Sequence, residues 1–326
     1  MGDIVDIDLG SVSDKARLVN NSGRLIVVPS NETIWHALRA QDITSTESSA
    51  LFGESPYATK FELWHRKKSG TVTQIPDNPR MAWGRRVQDA IAQGISQDQG
   101  WTCRAMTEYI RLIDARMGAS FDYEVIDPVR GKGILEIKNV DFLVFRDKWI
   151  DDEEGMEAPP HIEVQLQHQL HLAECEWGAI GVLIGGNDAR VLVRDRDIQV
   201  GAAIEAAIRG FWGSIDAGIE PPPVYPVDAE FVAKLHGYAE VGKVFNGQGN
   251  EELQSLLAAY KAAGDAEKLA KEDKQVARAK VLQIVGDAER VLADGYTVSA
   301  GLVGPAEIAF HREGYRNFRV TVKKEK

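Results

Sequence analysis

The run Ser120-Phe121-Asp122-Tyr123-Glu124-Val125-Ile126, followed after Gly131-Lys132-Gly133 by Ile134-Leu135-Glu136-Ile137-Lys138, decides how this chain is read. Residues 121–126 and 134–138 have β-type composition, and the Gly/Lys turn between them predicts a hairpin. Side chains alternate along a strand, so Glu136 and Lys138 leave one face and Ile137 the other. Pairing of the two strands then brings Asp122 near Glu136. Two carboxylates make a hard-oxygen pocket for Mg²⁺ or Mn²⁺. An ammonium beside them suits hydrolytic attack on a phosphodiester. Taken alone, Glu-x-Lys is more often an ordinary charge pair on an exposed strand, so the rest of the chain has to decide.

Of 326 residues, 44% are hydrophobic and 27% charged, ample for one large core or a core with an appendage. The formal net charge of -11 argues against non-specific coating of nucleic acid but leaves room for local basic patches. Residues 60–86 hold seven Lys/Arg against two acids, and the last sixteen residues hold six against two. Each stretch faces phosphate or is merely solvated surface. Cys103 and Cys175 are too few for a disulfide framework or a four-cysteine metal site. Neither a signal peptide nor an apolar run long enough to span a bilayer is read in the sequence. The expectation is a cytoplasmic chain with no membrane partner.

The remaining pattern is α/β. Ser30 or Asn31 can cap a helix starting near Glu32, and a second helix is expected to open at residues 43–47. Further helices are expected at Lys60–Lys68, 81–93, 161–175 and 198–215, with strands at 179–184 and 190–193. Residues 151–158 read as an acidic loop. Pro221-Pro222-Pro223 is the strongest boundary signal, giving a core over 1–223 and an appendage over 224–326. Within the appendage, charged helices at 251–263 and 265–293 meet at Gly264 as a helical hairpin. Strands at 296–298 and 315–322 complete it as a β-hairpin.

Six motifs then fall in one order over residues 35–197. They are Trp35-His36-x-Leu38-Arg39 with Ile43-Thr44-Ser45-Thr46-Glu47; Gly53-x-Ser55-Pro56-Tyr57 with Glu62-Leu63-Trp64; Trp83-Gly84 with Gln88; Ser120-x-Asp122; Glu136-x-Lys138; and Gln165-x-Gln167. Together they resemble the PD-(D/E)XK nuclease core, and more narrowly the family of phage lambda exonuclease and the YqaJ-type viral recombinases. The resemblance implies a central mixed β-sheet flanked by helices. It implies a metal-dependent exonuclease working 5′ to 3′ on linear double-stranded DNA and leaving 3′ single strands for phage-type annealing recombination. Mg²⁺ or Mn²⁺ would be held by Asp122, Glu136, the backbone carbonyl of Ile137 and residue 88. Lys138 would orient or deprotonate the attacking water, and Gln165 would help to place it. Arg39, Thr46 and Ser120 would grip the 5′-phosphate of a duplex end. The implied partners are a single-strand annealing protein and further copies of the chain in a ring, inside a bacterial cell carrying a phage or prophage.

Two departures stand out. The family has a glutamate where this chain has Gln88, and a neutral amide is a poorer ligand for Mg²⁺ than a carboxylate. Val144 stands where the family has an arginine after the core, with Arg146 and Lys148 nearby. Two other functional classes therefore stay open: a DNA-binding or assembly protein with a weakened nuclease site, and a restriction-like endonuclease on the same core. Trp35, Trp64 and Trp83 are read as core residues. His168 and His171 lack an acid or cysteine partner at ligand spacing and are read as helix-surface or core histidines.

Overall fold

The computed structural model describes residues 16–19, 23–70, 78–153, 155–307, 309 and 314–320. Along the chain run β1 (Ala16–Val19), β2 (Arg24–Val27), α1 (Glu32–Gln41), β3 (Ile43–Thr44), α2 (Lys60–Lys68) and α3 (Pro79–Gln99). Then come β4 (Thr102–Ala105), β5 (Tyr109–Leu112), β6 (Met117–Ser120), β7 (Tyr123–Asp127), β8 (Gly131–Val140), α4 (Phe142–Lys148), β9 (Ile150–Asp152) and β10 (Gly155–Glu157). The core closes with α5 (Pro160–Ala173), β11 (Trp177–Ile184), β12 (Asp188–Asp195) and α6 (Ile198–Asp216). Beyond these lie α7 (Ala229–Leu235), α8 (Glu251–Val285), β13 (Arg290–Ala293) and β14 (Tyr296–Ser299).

The central sheet has the order β12-β11-β8-β7-β4, with β8 and β11 parallel and the other pairs antiparallel. This is the mixed, helix-flanked sheet expected of the PD-(D/E)XK core. Helices cover both faces, and strand alternation sorts the side chains of β8 between them. Leu135 and Ile137 pack with Ile91, Ala92 and Ile95 of α3. Ile134 packs with Leu166 and Leu170 of α5. Glu136 shares the face of Ile134, so the same alternation that builds the core delivers its carboxylate to α5. Close approach of α5 depends on Gly178 of β11, where an added Cβ would meet Leu166 and Leu170 at 3.0 Å.

A second sheet, β1-β2-β5-β6-β3, stands beside the first. Ser120 ends β6 and Tyr123 begins β7, so Phe121 and Asp122 carry the chain from one sheet to the other. Two functional candidates, Ser120 and Asp122, thus sit on either side of one crossing point.

Several local expectations are corrected. No helix opens at residues 43–47: Ile43–Thr44 pairs with β6 in parallel, and a short 3-10 helix follows at Ser48–Phe52. The Glu47 side chain accepts from the Thr44 N–H and hydroxyl, holding this segment in a turn rather than a helix. The hairpin turn lies at residues 128–130, where Asp127 Oδ1 accepts from the N–H groups of Val129 and Arg130, and Gly131–Val140 is wholly strand. The acidic loop contains a two-stranded hairpin, β9 with β10. In the appendage, α8 runs unbroken through Gly264, because an isolated glycine costs only about 1 kcal/mol in a long helix. It ends at Val285, and the β-hairpin pairs β13 with β14. Residues 314–320 are not strand, and residues 321–322 lie outside the described set.

The chain divides into two compact units, Met1–Phe231 and Val232–Lys326. The first unit reaches past the proline run because Asp228 is anchored in it. Asp228 is 1% exposed, accepting from Thr59 Oγ1 at 2.6 Å and from the Val224 N–H at 2.6 Å. Thr59 is in turn the N-cap of α2. Hydrogen bonds to a buried charge are worth about 1.5–3 kcal/mol each. Truncation after Phe231 should therefore leave the melting temperature of the first unit high, whereas truncation after Pro223 or Asp228→Ala should cost about 2 kcal/mol or more in denaturant unfolding. Equal stability of the two truncations would contradict the anchoring.

Candidate active site

In the β7–β8 ladder Tyr123 pairs with Leu135, which places Asp122 across from Glu136. Asp122 Oδ2 accepts from the Ile137 N–H at 2.8 Å, fixing the carboxylate at the end of the ladder. Burial, and then the charge of Glu136, push the Asp122 carboxyl up to about 7, against the pull of the Ile137 N–H, Lys138 and a hydrogen bond from Gln88. Gln88 thus reaches the site from α3, the helix on the opposite side of the sheet from α5. The two acids crowd each other at the end of the β7–β8 ladder in the middle of the sheet, and a nearby cation would relieve the repulsion that raises Asp122.

Glu136 is 4% exposed, and both of its oxygens are hydrogen-bonded, with one acceptor site left on Oε2. Its Oε1 accepts from Lys138 Nζ at 2.7 Å and from Gln165 Nε2 at 2.6 Å, and its Oε2 accepts from Gln169 Nε2 at 2.8 Å. Lys138 Nζ also donates to Gln165 Oε1 at 3.0 Å, closing a ring of three side chains. Burial pulls the Lys138 ammonium down, but Glu136 and Asp122 outweigh it and leave the amine above the ordinary lysine range. Gln169 was absent from the sequence-based site. The signal that could have found it is its position one turn after Gln165, on the same face of α5. Gln167, by contrast, faces away, donating to the Asp195 carbonyl and accepting from the Asp197 N–H.

A second cluster lies at the C-terminal end of α1. The Arg39 guanidinium stacks over the Trp35 ring at 4.4 Å and donates to Thr46 Oγ1 at 3.3 Å. Trp35 Nε1 donates to Ser120 Oγ at 2.8 Å. Arg39, Thr46 and Ser120 are thereby brought into one connected group. Beneath it, Lys67 Nζ donates to the carbonyls of Arg39 and Asp42 at 2.8 and 2.7 Å and pairs with Glu47 at 2.9 Å. Asp42 in turn pairs with Arg111 at 2.6 Å. Lys67, counted in the basic stretch, is therefore committed internally rather than to solvent.

Other candidates fall as follows. Trp64 is core, but Trp83 is 58% exposed with the Arg86 guanidinium 5.2 Å from its ring, which corrects its assignment to the core. Trp35 is half-buried. His168 is buried and bonded to the Gly118 carbonyl at 3.1 Å, with burial holding its pKa near about 3. His171 pairs with Glu205. Arg146 pairs with its neighbour Asp147. Of the C-terminal cations, Arg316 donates to the His236 carbonyl, while Arg312 and the last three lysines lie outside the described residues.

Among the described residues no group of three or more His, Cys, Asp or Glu side chains is placed to hold a metal. The donor set at the end of the β7–β8 ladder is different in kind: two carboxylates with a neutral amide, Gln88, bonded to one of them. Oxygen donors of this type fit a hard divalent cation, with fewer negative charges than most such sites.

The mixed sheet flanked by helices, the crossing at Ser120–Asp122 and the Asp…Glu-x-Lys cluster are arranged as the resemblance of the sequence to the PD-(D/E)XK core leads one to expect. Residues 34–176 match the model of the YqaJ-like viral recombinase domain, a span that includes Arg39, Gln88, Asp122, Glu136, Lys138 and Gln165. It is 24% identical over 245 residues to the uncharacterized protein YqaJ of Bacillus subtilis (strain 168), spanning 73% of this chain and 74% of that one. Among solved structures it is similar to an alkaline exonuclease from Laribacter hongkongensis, with 19% identity, 63% of this chain and all of that chain covered, and a TM-score of 0.45. A phage-related exonuclease from Haemophilus somnus 129PT is similar over 57% of this chain and 99% of that one, with 11% identity and a TM-score of 0.38. No helix among the described residues is long and apolar enough to cross a membrane.

The raised Asp122 pKa has a measurable consequence. A carboxyl whose pKa rises from 3.8 to about 7 on folding binds its proton more tightly when folded. Its contribution is present at low pH and lost as pH climbs from about 4 to about 7. In EDTA, Asp122→Asn should match the parent near pH 4 and exceed it in melting temperature at pH 8. Mg²⁺ should stabilise the parent at pH 8 more than the variant. A variant less stable than the parent at pH 8 would contradict this picture.

Proposed function

We propose that the chain is a divalent-metal-dependent deoxyribonuclease that shortens linear double-stranded DNA from its 5′ ends and leaves 3′ single strands for annealing recombination. The observation that carries this reading is the hydrogen-bonded cluster of Glu136, Lys138 and Gln165 beside Asp122. Asp122, Glu136, the Ile137 carbonyl and Gln88 would hold Mg²⁺ or Mn²⁺. When bound, the ion supplies Lewis-acid stabilisation of charge on the phosphate and on the attacking oxygen. Lys138 stays an ammonium at neutral pH, which favours charge stabilisation and orientation over taking a proton from water. Gln165 holds Glu136 and Lys138 in one geometry. Arg39, Thr46 and Ser120 would bind the terminal 5′-phosphate, for which a guanidinium and hydroxyls are suited donors.

The match of residues 34–176 to the YqaJ-like viral recombinase domain supports a role in recombination. On this reading a single-strand annealing protein receives the 3′ strand, copies of the chain assemble around the duplex, and the enzyme works in the cytoplasm of a bacterium carrying a phage or prophage. Gln88 favours a second reading, a DNA-binding or assembly protein whose nuclease site is weakened.

Asp122→Ala and Glu136→Ala should each abolish Mg²⁺-dependent nucleotide release while leaving duplex affinity within a few-fold, because each removes a ligand needed at the chemical step. Undiminished release by either would remove the site assignment. Gln88→Glu returns an anionic oxygen without changing side-chain length. It should lower the Mg²⁺ concentration for half-activity and raise the rate; about 1.4 kcal/mol of recovered stabilisation is about tenfold. Coincident metal titrations for the two proteins would mean that residue 88 does not act on the metal.

A further inference from the structure

Gln169 is 1% exposed and sits between the two clusters. Its Nε2 donates to the Ser120 carbonyl at 3.1 Å and to Glu136 Oε2 at 2.8 Å. Both partners are acceptors, so the amide nitrogen must face them, and the orientation of the side chain is settled by chemistry. The cost is visible on the other side: Gln169 Oε1 is buried with no hydrogen-bond partner among the described residues. A buried acceptor with no protein partner is unfavourable, and its retention calls for an explanation.

The explanation lies in what the two donations connect. Ser120 Oγ accepts from Trp35 Nε1 at 2.8 Å, and the Trp35 ring carries the Arg39 guanidinium at 4.4 Å. A continuous series of contacts therefore runs from Arg39 through Trp35, Ser120 and Gln169 to Glu136, and from Glu136 to Lys138 and Gln165. Gln169 is the only side chain in that series that touches both Ser120 of the Arg39 cluster and the Glu136 carboxylate on β8. We propose that Gln169 is a positioning residue that ties Glu136 to the Ser120 wall of the end pocket, so that a terminal phosphate seated there strengthens cation binding at Asp122 and Glu136.

The mechanism needs no large motion. Ser120 belongs to the end of β6, and its carbonyl is displaced with its hydroxyl when a phosphate draws on that hydroxyl. Gln169 transmits the shift because its single nitrogen serves both acceptors. Coupling of this kind is reciprocal, so bound cation must favour phosphorylated ends by the same factor. The inference rests on the reading of Arg39, Thr46 and Ser120 as the end pocket, and its test separates the two.

The test is a binding measurement, with Ca²⁺ as the probe and EDTA controls. Duplexes of one sequence, ending in 5′-phosphate or 5′-hydroxyl, are titrated into the full chain, Gln169→Met and Arg39→Ala, and Ca²⁺ affinity is measured on each complex. In the parent, Ca²⁺ should bind several-fold tighter on the phosphorylated complex. Gln169→Met should bring that ratio to about one while keeping, within twofold, the preference for phosphorylated duplex in EDTA. A parent-like ratio in Gln169→Met, or a ratio of one in a parent that still prefers phosphorylated ends, overturns the proposal. Should Gln169→Met fail to fold, Gln169→Asn keeps the amide but is one methylene too short for both acceptors, and must show the same loss. If Arg39→Ala retains the parent's preference for phosphorylated ends in EDTA, the end-pocket reading itself is wrong.

Discussion

The structure turns on one buried charge. Glu136 lies on the inner face of β8, where strand alternation turns it toward the same helix, α5, as the core residue Ile134. A carboxylate there is tolerable only if every oxygen is engaged, and breaking such an arrangement is strongly destabilising. α5 meets that demand with Gln165 and Gln169, and β8 itself meets it with Lys138. Gly178 lets α5 come close enough to do so. The site is therefore built into the packing of the central sheet, and its geometry inherits the rigidity of the core.

Asp122 supplies the opposing tension. It sits outside the ladder, held by the Ile137 N–H, and its carboxyl is pushed up to about 7 by burial and by Glu136. On the function proposed above, a bound cation resolves that repulsion. Gln88 softens the demand: it offers an oxygen without another negative charge. On the same proposal the third position near the carboxylates is electrically weaker than a glutamate would make it, and Asp122 and Glu136 dominate metal affinity.

Much of this was legible in the sequence because it depends on period-two alternation and on short spacings. The meeting of Asp122, Glu136 and Lys138 follows from the hairpin pattern, and that of Arg39 with Thr46 is implied by the resemblance of their motif to the family's. What could not be read depends on contacts distant in sequence. Gln169 looks like any polar helix residue until β6 and β8 are folded against α5. Lys67 looks like part of a basic surface until the α1 terminus and Glu47 enclose its ammonium. Trp83 carries the composition of a core residue, yet it lies on the exposed side of α3 with Arg86 over it. The helical hairpin expected at Gly264 failed for a local reason: one glycine is too cheap a defect to break a long helix.

The most direct test of the account is the fate of DNA that differs only in whether it has ends. Linear duplex labelled on either the 5′ or the 3′ terminus, and a covalently closed circle of the same sequence, are incubated with the protein and Mg²⁺. The account predicts early loss of the 5′ label, later retention of a long 3′ single strand, and an intact circle. Cleavage of the circle would identify an endonuclease on this core. Loss of the 3′ label first would reverse the polarity, and stable binding without release from any substrate, even after Gln88→Glu, would leave a DNA-binding protein in place of an enzyme.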